Sequence, residues 1–189
     1  MSRAYRVCVR QTQNCIIRAE DHVRTQLEIL EVLPPEQMAG LLAEELARRG
    51  FRRDGMRLSR TQNGITVTVE TATATVTVAA EASEETTIQA ERSDRAYDDA
   101  GPHAKVVREN LQKQLDKDIE RKVSEKAASL QTKVTDRLEG ELGDVRQELD
   151  QVVHRVTVEA LKRKAAQMGQ IKEMTEDPQT GSLTIVVAI

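Results

Sequence analysis

The chain has 189 residues, of which 31% are charged, and its 28 basic and 31 acidic side chains leave a net charge of −3. That near balance argues against a generic polyanion binder. Aromatic residues make up 2%, namely Tyr5, Phe51 and Tyr97, with no Trp, which nearly excludes platforms that stack on bases or sugars.

With so few rings, the core has to be built from Val, Leu, Ile and Ala. The two cysteines, Cys8 and Cys15, make no disulfide framework. The opening "MSRAYRVCVRQTQN" has no apolar leader core. No stretch approaches the roughly 20 apolar residues of a membrane-spanning helix. A soluble cytoplasmic protein with reduced thiols is the expectation.

"AYRVCVRQ" alternates, with Tyr5, Val7 and Val9 in one phase and Arg6, Cys8 and Arg10 in the other. This pattern predicts a half-buried strand over 3–10. "HVRTQLEILEV" keeps Val23, Thr25, Leu27 and Ile29 in phase and predicts a second strand over about 23–32. "LPPEQMAGLLAEELARRGF" predicts a helix over 35–50. Pro35 suits its first position, and Glu36 complements its positive end. Met38, Leu41, Leu42 and Leu46 form its apolar stripe, and Gly50 supplies a left-handed stop.

Asn63-Gly64 is a strong hairpin signal. Ile65, Val67 and Val69 occupy odd positions, whereas Ala72, Ala74, Val76 and Val78 occupy even ones. A strand cannot exchange its faces without a turn or bulge, so a turn is expected near 70–73. A further strand is centred on Ile88. Residues 56–92 read as an antiparallel meander with a Thr-rich outer face.

From Pro102 to Met168 no further proline occurs. Apolar residues recur by fours and threes at Val107, Leu111, Leu115, Ile119, Val123, Ala127, Leu130, Val134, Leu138, Leu142, Val145, Leu149, Val152 and Val156. The mean step exceeds the 3.5 of a left-handed coiled coil. A stripe this narrow needs an apolar partner along its whole length. Two arrangements satisfy it. Gly140 and Asp144 can close one helix and open another, giving a helical hairpin at 140–143. Alternatively, one helix of about 100 Å runs through both glycines at a cost of about 1 kcal/mol each, and its partner lies on another chain.

Sites follow from residue types. His22, His103 and His154 fall in different elements, and Cys8-x6-Cys15 lacks metal or redox spacing. No nucleophile elbow, phosphate loop or dinucleotide fingerprint is present, so neither a catalytic centre nor a cofactor is expected. Asp98, Asp99 and His103 lie close in sequence and can form an acid–base cluster, but they read more simply as the charged entry of a helix. Arg48, Arg49, Arg52, Arg53, Arg57 and Arg60 gather around one helix end and the next strand. They are candidates for holding a polyanion such as nucleic acid, by salt-sensitive, sequence-blind contacts. Helix-end charge preference and edge-strand protection account for part of that cluster without any ligand. Leu111, Leu115, Ile119, Val123, Leu130, Val134 and Leu138 are candidates for binding a protein partner through the long amphipathic segment.

The C-terminal segment, "VVHRVTVEALKRKAAQMGQIKEMTEDPQTGSLTIVVAI", resembles the end of the family known as hypothetical chloroplast reading frame thirty-five. That family is a domain of unknown function with relatives in ternary systems beside an FtsH-like or other AAA+ ATPase. The resemblance is carried by Val156, Ala160, Leu161, Ala165, Gly169, Ile171, Glu173, Glu176, Asp177, Gly181, Leu183, Ile185 and Val187. It covers about forty residues well and the first ninety in outline. It implies an accessory or adaptor protein acting with an AAA+ ATPase, and it carries over no catalytic residues.

These readings combine into an α+β protein with an antiparallel or mixed sheet, one packed helix and a long amphipathic helical arm or helical hairpin. Residues 1–100 form the sheet domain and 101–168 the arm. Residues 169–189 form a C-terminal β-hairpin that returns to the sheet as a clasp, so truncation after Gln170 is expected to unfold it. The expected function is a non-enzymatic adaptor, in a homo-oligomer or a hetero-complex, with a protein partner such as an AAA+ ATPase. Nucleic acid is the alternative partner.

Overall fold

A computed structural model describes residues 5–97, 101–176 and 182–188. The protein is α+β. Its elements run β1 (Tyr5–Gln26), α1 (Pro35–Arg48), β2 (Arg52–Asp54), β3 (Arg57–Gln62), β4 (Ile65–Glu70), β5 (Thr75–Ala96), α2 (Pro102–Met168), β6 (Gln170–Glu176) and β7 (Leu183–Ala188). Five strands form one antiparallel sheet in the order β1-β5-β4-β3-β2, and β6 and β7 form a separate two-stranded sheet. By contact, the chain divides into one unit of Met1–Asp21 with Glu81–Asp136 and another of His22–Ala80 with Arg137–Ile189. This division differs from the sequence-based one, because β1, β5 and α2 each contribute to both units.

The second unit holds the punctuation that the sequence announces. Pro35 stands at the start of α1, and Met38, Leu41, Leu42, Ala43 and Leu46 are buried along it. The helix ends in a Schellman motif. The Gly50 N–H donates to Ala47 O (3.0 Å) and the Phe51 N–H to Leu46 O (3.1 Å), with Gly50 at φ +84°. Phe51 and Leu46 are both buried, supplying the apolar contact that accompanies this cap. Asn63 and Gly64 have φ of 53° and 76°. Both central residues of the β3–β4 turn are therefore left-handed, as a type I′ hairpin requires. Residues 71–74 turn the chain again, with Ala74 at φ 51°, so the phase exchange marks a real reversal. Leu58, Ile65, Val67, Val69, Val76, Val78 and Ala80 form the buried face of the sheet. Leu138, Leu149, Val152, Val156 and Ala160 of α2 are buried in the same unit. Each aliphatic side chain fully buried there contributes about 1.5–3 kcal/mol.

In the first unit, residues 5–21 of β1 and 81–96 of β5 form a ribbon that packs against α2 through Asp136. Val7, Ala96, Ala104 and Leu111 make one buried cluster, with Val9 and Val107 against it. Polar contacts continue along the ribbon. Gln112 donates to Gln11 (2.7 Å), Lys122 Nζ to Gln89 O (2.7 Å), Gln131 to Glu20 O (3.0 Å) and Thr135 to Asp21 (2.7 Å).

Four expectations change. The strands read at 3–10 and 23–32 are one 22-residue strand ending at Gln26, and residues 3 and 4 lie outside the described residues. Leu27–Leu30 alternates in burial but takes no ladder partner. Its Leu27 N–H bonds to Ala74 O at 2.8 Å. The strand centred on Ile88 is continuous with the one beginning at Thr75. There is no helical hairpin at 140–143, because α2 is a single 67-residue helix through both glycines. Finally, the C-terminal hairpin forms but does not join the five-stranded sheet. Its turn, including Asp177, Pro178 and Gly181, lies outside the described residues.

Candidate functional site

Every position of the stripe along α2 turns away from solvent. Leu111, Leu115, Ile119, Leu130, Val134 and Leu138 are buried, and Val123 is half-buried. In the first unit, cover comes from β1 and β5, where Val7, Val9 and Ala96 pack with Ala104, Val107 and Leu111 of α2. The apolar partner that the stripe demands is thus found within the same chain, and not on a second one. A protein docking on these seven side chains has to displace the strands that cover them. What α2 leaves to solvent is its charged side, from Arg108 and Glu109 to Arg146 and Asp150.

The six arginines lie in the second unit, and most are already engaged. Arg60 sits on the covered face of β3, half-buried, and forms a bidentate pair with Glu148 of α2. One Nη also donates to Arg49 O at 3.1 Å, and the guanidinium stacks 4.6 Å from the centre of the Phe51 ring. The Glu148 carboxylate holds Arg60 protonated above its ordinary value, against the opposing effect of burial. Phe51, the one ring near this cluster, is therefore spent on Arg60 and closed to a base. Arg49 pairs with Glu45 (3.0 Å) and donates to Gln151 (3.3 Å). Arg48 approaches Glu45 at 3.7 Å, and Arg57 approaches Glu70 at 3.9 Å. Arg53 donates to Gly55 O at 3.0 Å, and Arg52 is exposed. Three carboxylates thus contact four of the six guanidiniums, with Glu45 shared by Arg48 and Arg49, leaving a weaker field for phosphates than the sequence promised.

The acid–base cluster is only partly described. Asp98 and Asp99 lie outside the described residues. His103 Nδ1 accepts the Tyr97 N–H at 3.4 Å, and the two rings stand 5.4 Å apart. His103 thus serves the entry to α2. No group of three or more His, Cys, Asp or Glu among the described residues is arranged to hold a metal ion. No helix among them is long and apolar enough to cross a membrane.

Sequence reasoning missed a polar cluster on the open face of the ribbon. The Cys8 thiol donates to Glu91 Oε1 (2.9 Å), and Arg10 pairs with Glu91 Oε2 (2.9 Å). Arg6 donates to Ser93 beside them. The Glu91 carboxylate pushes the Cys8 thiol up, and the bonds from Cys8 and Arg10 hold the Glu91 carboxyl below its ordinary range. A thiol raised in this way is a poor nucleophile. The missing signal was the pairing of β1 with β5, which brings Cys8 within reach of Glu91. A second such pair, Arg92–Asp118 (2.6 Å), ties the ribbon to α2.

No curated protein and no solved structure matches the chain. The link to FtsH ternary systems drawn from the C-terminal residues stands, whereas the chloroplast reading frame named with it is not confirmed. Residues 1–189, the whole chain, match the family described as FtsH ternary system domain X5, a domain of unknown function, and the protein belongs to that family.

Proposed function

We propose that the protein is a non-catalytic accessory subunit, an adaptor that works by protein–protein contact with the AAA+ FtsH component of its ternary system. The observation that carries this reading is the family match along the entire length of the chain. A cytoplasmic location and assembly into a homo-oligomer or hetero-complex belong to the same reading. The geometry supports contact through the exposed polar surfaces, because the apolar stripe of α2 is already used in packing. The paired state of Arg48, Arg49, Arg57 and Arg60 favours a protein partner over nucleic acid. In the test, the purified full chain is mixed with the AAA+ protease subunit encoded in the same system. Co-elution and a changed rate of substrate degradation are expected. Neither binding nor any change in proteolysis, together with retention of duplex DNA at low salt, would replace this reading with the polyanion one.

A further inference from the structure

Each of the two sheets ends on two marginal strands, β1 and β2 in one and β6 and β7 in the other. An unpaired strand edge is a template for another strand, and proteins that avoid such pairing blunt their edges with charge, brevity or bulges. Three of these four strands are blunted. β2 has three residues, Arg52, Arg53 and Asp54. β1 carries Arg6, Arg10, Arg18, Glu20 and Arg24, all exposed. β6 carries Lys172 and Glu173, and its register slips between Ile171 and Glu173.

β7 has none of these devices. Its sequence, Leu-Thr-Ile-Val-Val-Ala, contains no charge, and it pairs regularly with β6 from Glu176↔Leu183 to Glu173↔Val186. Met174 stands opposite Ile185, and Ile171 opposite Val187. Ile171, Met174, Leu183, Ile185 and Val187 therefore share one face, and none of the five is buried. On the other face Val186 is 43% exposed. A two-stranded sheet is marginal in water by itself, and this one leaves its apolar face incompletely covered.

We propose that β7 is a self-pairing edge, with β7 of a second copy of this chain lying antiparallel along it to form a four-stranded sheet in the order β6-β7-β7-β6. Charge selects the occupant. Strand edges pair through backbone N–H and C=O groups, and like charges are what bar an edge from its own copy; β7 carries none, so an identical edge meets it without repulsion. The pleat selects the register. With Ile185 opposite its own counterpart, Leu183 faces Val187 and Thr184 faces Val186. The aliphatic face of one hairpin then continues into that of the other, giving an isologous contact about a twofold axis. A slip by one residue joins that face to the one bearing Thr184 and is disfavoured.

The full chain is measured by light scattering and sedimentation over a range of concentrations, with a dimer expected. Thr184→Lys combined with Val186→Lys sets like charges opposite each other twice across the axis. That variant is expected to sediment as a monomer with unchanged circular dichroism and melting, because both side chains are solvent-exposed. Thr184→Glu combined with Val186→Lys sets opposite charges face to face across the axis, places the lysine opposite Glu173 of β6, and is expected to recover the dimer. A monomeric parent chain overturns the proposal and leaves the edge to a strand of some other protein. A dimer that tolerates the double lysine overturns it as well. Neither result depends on whether the AAA+ component binds.

Discussion

Cys8 is exposed yet chemically subdued, because Glu91 accepts its thiol proton at 2.9 Å and raises the energy of the thiolate. Reactivity follows the thiolate fraction. At a fixed pH near 8 a raised thiol pKa means less thiolate, so removing the carboxylate increases it. With Cys15 replaced by Ser, Glu91→Gln is expected to speed alkylation of Cys8 by iodoacetamide severalfold. An unchanged rate would show that Glu91 does not set the reactivity. None of this was legible in the sequence, where Cys8 and Glu91 are 83 positions apart and only the pairing of β1 with β5 joins them. The same holds for Arg60 and Glu148, 88 positions apart. Six clustered arginines read as a patch; Glu45 is a local helical neighbour of Arg48 and Arg49, but Glu148 became visible only once β3 and α2 were packed in one unit. Gly50 and Asn63-Gly64, by contrast, were legible because their roles depend on local backbone sterics alone.

Among the elements, α2 shows how packing overrides punctuation. Gly140 and Gly143 suggest a break, but both are helical, and a β-carbon added at either meets nothing within 4 Å. Leu138 and Leu149 are buried on either side of them. Continuing the buried stripe outweighs the roughly 1 kcal/mol that each glycine costs a helix. Alanine at both positions is therefore expected to raise thermal stability by about 1–2 kcal/mol in total. If a left-handed cap stood at Gly140, the same substitution would lower the melting temperature. The long strands were misread for a different reason. The sequence suggests no element over 11–22, but a ribbon covered on one face tolerates polar residues on the other, and β1 is continuous across them. Leu27–Leu30 errs in the opposite sense, since its alternation is that of an extended segment without a ladder. The C-terminal hairpin was legible as an element, though not in its placement. Because, among the described residues, β6 and β7 pair only with each other, truncation after Met168 is expected to leave the circular dichroism of the five-stranded sheet in place. This reverses the clasp expectation, and cooperative loss of all strand signal on truncation would reinstate it. Gly169 marks the junction, because a β-carbon there would collide with the carbonyl oxygen of Ala188.

At the level of the whole molecule, the fold class and the link to FtsH ternary systems agree with the sequence reading, and the amphipathic segment packs within the chain. A stripe that only docks a partner can be trimmed without harm to the isolated chain. A stripe that forms the core cannot. Leu115 is 0% exposed, so Leu115→Ala is expected to cost about 2–5 kcal/mol in the chain alone. An unchanged denaturant midpoint would return the stripe to a docking role. The order of the strands also matters while the chain is being made. Arg6 meets Ser93, 87 positions later, Gln11 meets Gln112, 101 positions later, and Asp21 meets Thr135, 114 positions later. At roughly 5–20 residues per second, β1 waits on the order of 5–20 s on the ribosome before its ribbon and covering helix can close. Throughout that interval its charged positions, Arg6, Arg10, Arg18, Glu20, Asp21 and Arg24, discourage a long unpaired strand from joining neighbouring nascent chains. These charges therefore guard the protein's synthesis as well as its finished edge.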